Sequence, residues 1–298
     1  MQMTSDKKTI TTITEYLNDI KKYTDGYSSD GSHYFFRGQA KTYVDDFAPT
    51  INRINKKKEH DIYYEVLTAC VDDFGKNLTY GEILAKMQHY GVPTRLLDVT
   101  SNPLVALYFA CHNHKSEDGK VYVIYPKDRH IKTFESDAVA ILSSLPRINY
   151  DDYEKVYEAA MYYITEAKDN IKALKEFNDN FSVQRLLHEI KKEKPDFDRL
   201  YDPHALFNDL IYIPKQNNPR IVRQYGAFVL FSMSDLAPFE SNDSSDPGLP
   251  FNTITISAKH KDELLSELEM LGISQSTLFP ELYTVAESIK NNPKYKKT

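Results

Sequence analysis

The segment PLVALYFACHNH, from Pro103 to His114, constrains the fold of this 298-residue chain more than any other feature. Asn102 precedes it as an N-cap and Pro103 takes the first helical position, which are typical residues for the start of a helix. Hardly a polar residue follows until His112. We therefore expect a helix that is buried almost all round, inside a globular core.

The loop predicted in front of this helix carries chemistry that a simple connection does not need. The preceding helix begins at Thr79 and Glu82, a capping-box pair, and ends at Gly91. A connection chosen for backbone geometry alone would consist mainly of Gly, Pro, Asn and Ser. This one contains an imidazole, a cation, an anion and two hydroxyls: His89, Arg95, Asp98, Thr100 and Ser101. These residues predict one edge of a polar pocket.

The positive charges in this segment favour the binding of an anion. The start of the buried helix offers unpaired N–H groups beside Thr100 and Ser101. Arg95 is always charged, and His89 lies in a last helical turn, where the helix dipole favours the protonated form. The anion is a phosphate, a carboxylate or Asp98 itself; in the last case, Arg95 and Asp98 form a structural ion pair. Two roles are open for His89: proton transfer, or capping of helix carbonyls.

Composition limits the class of protein. The chain is 41% hydrophobic and has no long apolar run, which predicts a globular protein of the cytoplasm without a membrane span or signal peptide. Its net charge of −6 argues against broad electrostatic binding to nucleic acid. Cys70 and Cys111 cannot form a disulfide framework. The sequence lacks a Gly-rich phosphate loop, a GxSxG motif and metal-ligand spacing, so we expect no P-loop, Rossmann or serine-hydrolase site and no metal.

Hydrophobic periodicity predicts an α+β fold with a small mixed or antiparallel sheet surrounded by helices. Residues 137–194 are predicted as a helical insertion within a single domain spanning 1–298, and residues 290–298 as a frayed tail. The predicted strands are HYFFRGQ (33–39), KVYVIY (120–125), LIYIP (210–214), RIVRQYGAFVLFS (220–232) and NTITIS (252–257).

Five motifs, in order along the chain, make it resemble the FRG domain family, named for its aromatic-Arg-Gly motif. The motifs are Phe36-Arg37-Gly38-Gln39, FAPTINR (47–53), HYGVPTRLLDVTSNPLVALYFAC (89–111), RIVRQYGAF (220–228) and LFPEL (278–282). The resemblance extends over most of the chain. Proteins of this family are frequent in bacterial and phage genomes, so the resemblance implies a bacterial setting.

A weaker similarity connects the core with ADP-ribosyltransferases. Their arginine and serine elements resemble a strand that ends at Arg37 and the Thr100–Ser101 pair before a helix. The resemblance implies an ADP-ribosyltransferase-like core that takes NAD as substrate and modifies a protein or nucleic acid, as a toxin or phage-defence effector. Where those enzymes carry a catalytic glutamate, this chain has Gln224, so another acid such as Asp98 would have to replace it.

NAD chemistry assigns roles to these residues. An arginine fork binds phosphate or ribose oxygens, and a carboxylate stabilises the oxocarbenium-like transition state. Tyr34 or Tyr90 could stack on nicotinamide. The predicted catalytic residues are Arg37, His89, Asp98 and Gln224. The predicted NAD-binding residues are Arg37, Gly38, Tyr90, Arg95, Thr100 and Ser101.

Structural alternatives remain for several of these residues. Arg37 could pair with Asp98, and Gln224 could simply satisfy backbone groups. Gly38 could allow close approach of a neighbouring strand rather than of a ligand. The whole pocket could also belong to a non-catalytic module that recognises a nucleotide or a phage component. The two hypotheses differ in turnover: the enzyme would turn over NAD, whereas the non-catalytic module would not.

Overall fold

A mixed sheet of eight strands forms the centre of the fold in the part of the chain that the structure describes. The computed structural model describes residues 9–24, 33–43, 47–75, 77–166, 170–200, 202–234 and 249–280. The strands are β1 (Thr9–Ile10), β2 (Phe35–Gln39), β3 (Leu96–Thr100), β4 (Gly119–Ile124), β5 (Ile131–Thr133), β6 (Leu210–Ile213), β7 (Gly226–Leu230) and β8 (Phe251–Ile256). Their order is β1-β8-β4-β2-β3-β7-β6-β5, antiparallel except for the edge pairs β1–β8 and β5–β6.

Helices pack mainly on one face of this sheet rather than around it, and the predicted mixture of helices and a mixed sheet is confirmed. They are α1 (Ile13–Thr24), α2 (Thr50–Ile54), α3 (Glu59–Ala69), α4 (Tyr80–His89), α5 (Pro103–Cys111), α6 (Asp137–Ser144), α7 (Tyr150–Thr165), α8 (Ile171–Asp179), α9 (Phe181–Glu193), α10 (Pro219–Arg223), α11 (Lys261–Met270) and α12 (Gln275–Leu278). The predicted caps are present: Thr79 and Glu82 form the capping box of α4, and Asn102 accepts a hydrogen bond from the Leu104 N–H at 2.9 Å.

The segment between α4 and α5 was predicted to be a loop. This prediction is wrong, because the segment contains the central strand β3. Leu96 belongs to the buried cluster on one face of the sheet, and Leu97 and Val99 belong to the cluster on the other face. Asp98 is the one exposed position of this strand. A strand buried on both faces shows little alternation of polar and apolar residues, so periodicity did not reveal it.

The prediction of one continuous strand in RIVRQYGAFVLFS is wrong in its first half. Asn218 accepts a hydrogen bond from the Arg220 N–H at 2.8 Å and begins the short helix α10. The chain then turns at Tyr225, which has a φ of 48°, and enters β7. Gln224 therefore lies at the end of a helix rather than at the start of a strand. The β-branched Ile and Val of α10 favour strands, but the Asn-Pro start of the helix overrides this preference.

Both helical clusters of the core lie on the same face of the sheet. One contains the buried residues of α4, α6, α7 and α9, and the other those of α1, α5 and α11. Phe36 points into the second cluster, while its neighbour Phe35 joins a smaller aromatic cluster with Phe47 on the opposite face. This alternation decides on which side of the sheet each functional side chain lies.

The helices α6 to α9 lie between β5 and β6, within residues 137–194. Their buried residues Leu142, Val156 and Leu186 share one cluster with Leu84 of α4. The predicted tail, residues 290–298, lies outside the described residues. None of the described helices has both the length and the apolar character needed to cross a lipid bilayer.

Candidate functional site

The sheet opens between β2 and β3. β2 pairs along its whole length with β4, whereas its pairing with β3 is confined to Phe36 opposite Thr100. Backbone groups at such an opening need other partners. Arg37 supplies one, because its Nη1 donates to the carbonyl oxygen of Asp98 at 2.8 Å. Arg37 thus joins the two strands where their backbones no longer pair.

Arg37 is a half-buried cation with unused donor capacity. Its Nε is buried and has no hydrogen-bond partner among the described residues. Burial lowers the pKa of the guanidinium, and the nearby Asp98 offsets part of this effect. An uncompensated buried charge is costly, so this position favours an anionic partner.

The predicted alternative of an Arg37–Asp98 ion pair is not formed. Arg37 lies opposite Tyr122 of β4, whose side chain belongs to the smaller aromatic cluster. Asp98 lies opposite Phe228, which belongs to the helical face of the sheet. The two side chains therefore leave the sheet on opposite faces, and the contact between these residues uses only the Asp98 backbone carbonyl.

A cavity of about 250 Å³, which we name the inner chamber, lies over this opening between α4 and α10. Residues from α4, β2, β3 and the α10–β7 connection meet there because β2, β3 and β7 are neighbours in the sheet. Six residues proposed from the sequence line the inner chamber: Arg37, Gly38, His89, Asp98, Thr100 and Gln224.

The Asp98 carboxylate is exposed but oriented by a hydrogen-bonded chain. Gln88 Nε2 donates to Asp98 Oδ2 at 2.8 Å, and Thr94 Oγ1 donates to Gln88 Oε1 at 2.8 Å. Thr94 is buried, so the chain is anchored in the core. Gln88 was not among the residues predicted from the sequence. Its position in the last turn of α4, beside His89, was the signal that could have suggested it.

Thr100 and Gln224 make hydrogen bonds that hold the backbone together. Thr100 Oγ1 donates to the Gln224 carbonyl oxygen at 2.7 Å and accepts from the Asn102 N–H at 3.0 Å. Gln224 Nε2 donates to the Leu278 carbonyl oxygen at 3.1 Å. The Thr100 hydroxyl proton and one Gln224 amide proton are therefore already used. These contacts match the structural alternative for Gln224.

A second cavity of about 450 Å³, the outer chamber, continues from the inner one. Ala85, His89, Arg220 and Ile221 line both chambers. Together, the two chambers form what we call the α4–α10 groove. Tyr90 lines the outer chamber and is 70% exposed, so it lies at the rim of the groove rather than beside Asp98.

The predicted ion pair between Arg95 and Asp98 is wrong, because Arg95 pairs with Glu59. Arg95 Nε donates to Glu59 Oε1 at 3.0 Å, and Nη2 forms a second hydrogen bond to Oε2. Arg95 Nη1 donates to the Phe231 carbonyl oxygen at 3.2 Å. Burial alone lowers the pKa of Arg95, but the Glu59 carboxylate outweighs burial and the pKa is raised. Arg95 lines a separate cavity of about 290 Å³, away from Arg37.

Two further predicted residues have evident contacts with the fold. The Ser101 N–H donates to the Tyr225 carbonyl oxygen at 3.0 Å, and the Ser101 side chain is exposed outside the inner chamber. Gly38 lies against α5, where a Cβ would meet the Ala106 carbonyl oxygen at 1.8 Å. The close approach predicted at Gly38 is therefore to a helix. The described residues contain no group of three or more side chains placed to hold a metal ion.

Comparison with known protein families gives a match to the part of the chain that contains Arg37, α4, β3 and α5. The family model of the FRG domain matches residues 32–119, which include the Phe36-Arg37-Gly38 motif and the segment from α4 to α5. RIVRQYGAF and LFPEL lie after the matched range, and their resemblance stays a prediction. No solved structure matches the chain. This match assigns an FRG domain to residues 32–119 of the chain.

Proposed function

We propose that the α4–α10 groove binds a nucleotide with a pyrophosphate group, and that this nucleotide is NAD. The observation that carries the proposal is Arg37, a half-buried residue that lines the inner chamber at the opening between β2 and β3, and whose buried Nε has no partner among the described residues. A ligand phosphate or ribose oxygen would supply the missing acceptor. The ligand would thereby offset the cost of burying this charge.

Asp98 is the residue that we propose for catalysis. It is the only carboxylate among the described residues that line the inner chamber, and Gln88 orients it. When the bond between nicotinamide and the ribose C1′ breaks, nicotinamide leaves with the bonding electron pair and positive charge develops on the ribose. A carboxylate nearby stabilises this charge. A nucleophile of a protein or nucleic acid then forms the new bond to C1′ and releases its proton to Asp98 or to water.

Binding without turnover is the second function that we propose to test. Thr100 and Gln224, which the transferase resemblance implicates, are engaged in hydrogen bonds that hold β3, α10 and α12 together. An amide also cannot stabilise positive charge as a carboxylate does. These two observations favour a module that recognises a nucleotide and does not cleave it. A role as toxin or phage-defence effector belongs to the catalytic proposal, because it requires a modified target.

Arg37→Met is expected to weaken NAD binding roughly 10- to 100-fold, because a charge-assisted hydrogen bond to the ligand is lost. Arg37→Lys keeps the charge and is expected to lose less affinity for NAD.

Asp98→Asn is expected to slow nicotinamide release roughly 100- to 1,000-fold while NAD affinity changes little. Titration calorimetry measures binding, and adenylate-labelled NAD mixed with cell lysate measures release and transfer to macromolecules.

Asp72→Asn is the matched control for Asp98, since Asp72 is exposed and lines neither chamber. Thermal unfolding of Arg37→Met must be recorded as well, because Arg37 also holds the Asp98 carbonyl. Saturable NAD binding without nicotinamide release by the wild type would refute catalysis and support the binding module. Absence of NAD binding to the folded wild-type protein would refute the proposed function.

A further inference from the structure

Arg220 lies where the inner and outer chambers meet. It lines both of them, as does His89 on the facing helix α4. The carbon at the centre of its guanidinium lies 4.7 Å from the centroid of the Phe279 ring. A guanidinium over an aromatic ring keeps its N–H donors at the edge of its plane, where they remain available to a ligand. The fold therefore holds a cation in place at the junction.

The lysines of the outer chamber are already close to acids. Lys215 Nζ lies 3.2 Å from Glu82 Oε2, and Lys86 Nζ lies 3.6 Å from Asp73 Oδ1. Among the described residues, no carboxylate forms an ion pair with Arg220, and the guanidinium makes no hydrogen bond. An anionic ligand in the groove would therefore gain more at Arg220 than at either lysine. The strongest site for an anion lies between the chambers rather than at the end of one.

We infer that Arg220 binds the pyrophosphate of a dinucleotide, with one nucleoside half in each chamber. This inference rests on the proposed function and specifies its substrate class. The volumes, about 250 and 450 Å³, are those of a pocket divided into two parts of nucleoside size. In this arrangement, the scissile nicotinamide ribose lies near Asp98. Tyr90, at the rim of the outer chamber, offers a ring for stacking to the adenine.

Titration calorimetry of the full chain with NAD and with inorganic pyrophosphate tests this inference. Arg220→Gln is expected to weaken binding of both ligands roughly 10- to 100-fold. Arg220→Lys is expected to retain part of the affinity, because it keeps the charge without the planar fork. Arg223→Gln is the matched control, since Arg223 is exposed on the same helix and lines neither chamber. We expect it to bind as the wild type does.

The outcomes separate this inference from the proposed function. NAD affinity of Arg220→Gln within about twofold of the wild type would overturn the role of Arg220 and leave NAD binding intact. Binding of pyrophosphate that depends on Arg220, without binding of NAD, would support the anion site and overturn NAD as the ligand. If the folded wild type binds neither ligand, both proposals are overturned.

Discussion

Replacing Gly38 with Ala is expected to cost about 3 kcal/mol of unfolding free energy or more. The added Cβ would lie 1.8 Å from the Ala106 carbonyl oxygen and 2.8 Å from the Ala110 nitrogen. Both atoms belong to the backbone of α5, so no flexible side chain can move aside. Single domains are stable by only about 5–15 kcal/mol, and this loss would leave much of the protein unfolded or poorly packed. Urea unfolding followed by circular dichroism measures the change.

Gly75→Ala is the matched control for this substitution. No atom lies within 4 Å of a Cβ added at Gly75, which is exposed. We expect Gly75→Ala to leave stability unchanged or to raise it slightly, because Ala restricts the unfolded chain. A Gly38→Ala protein within about 1 kcal/mol of the wild type would show that α5 can shift away from β2. Because Gly38 supports the fold, its substitution is a poor test of ligand binding.

Glu59→Gln is expected to cost about 3–5 kcal/mol, because it leaves the Arg95 charge buried without its counter-ion. Arg95 and Glu59 are 4% and 8% exposed and are joined by two hydrogen bonds. Gln has nearly the same size as Glu. The loss of unfolding free energy therefore measures the removal of the charge rather than the creation of a cavity. Chemical denaturation at neutral pH measures the difference in unfolding free energy.

The double variant Glu59→Leu/Arg95→Met distinguishes the loss of the ion pair from the cost of leaving one charge buried without its partner. It removes both charges, so we expect it to be more stable than Glu59→Gln alone. Lys58→Met, which breaks an exposed pair with Asp61, is the surface control and is expected to unfold like the wild type. A Glu59→Gln protein as stable as the wild type would contradict a structural role for the pair.

Helix caps were predictable from the sequence, whereas the strand between α4 and α5 was not. Thr79 with Glu82, and Asn102 with Pro103, act within a single turn, so local residue order is sufficient to identify them. β3 is short and buried on both faces, and its apolar residues carry no period of two. α10 was mistaken for a strand because β-branched residues fill it. Local preference and tertiary context disagree at both places.

The site shows the same division between local and distant information. Arg95 and Asp98 are close in sequence and their pairing was one of the alternatives, but Arg95 instead pairs with Glu59, which lies 36 residues earlier. No local pattern reveals that partner. Arg37 and Arg220 line the same chamber because β2, β3 and β7 are neighbours. The sequence suggested which residue types carry chemistry, and the strand order determined which of them meet.

Hydrogen–deuterium exchange of the full chain with and without NAD tests the central claim most directly. Binding in the α4–α10 groove predicts slower amide exchange in residues 85–89, 96–100 and 219–226 when NAD is present. The cavity beside Arg95 provides the comparison, since most of its lining residues lie within 47–60 and 145–153. Slower exchange confined to those two segments, or no change anywhere at saturating NAD, would contradict the account.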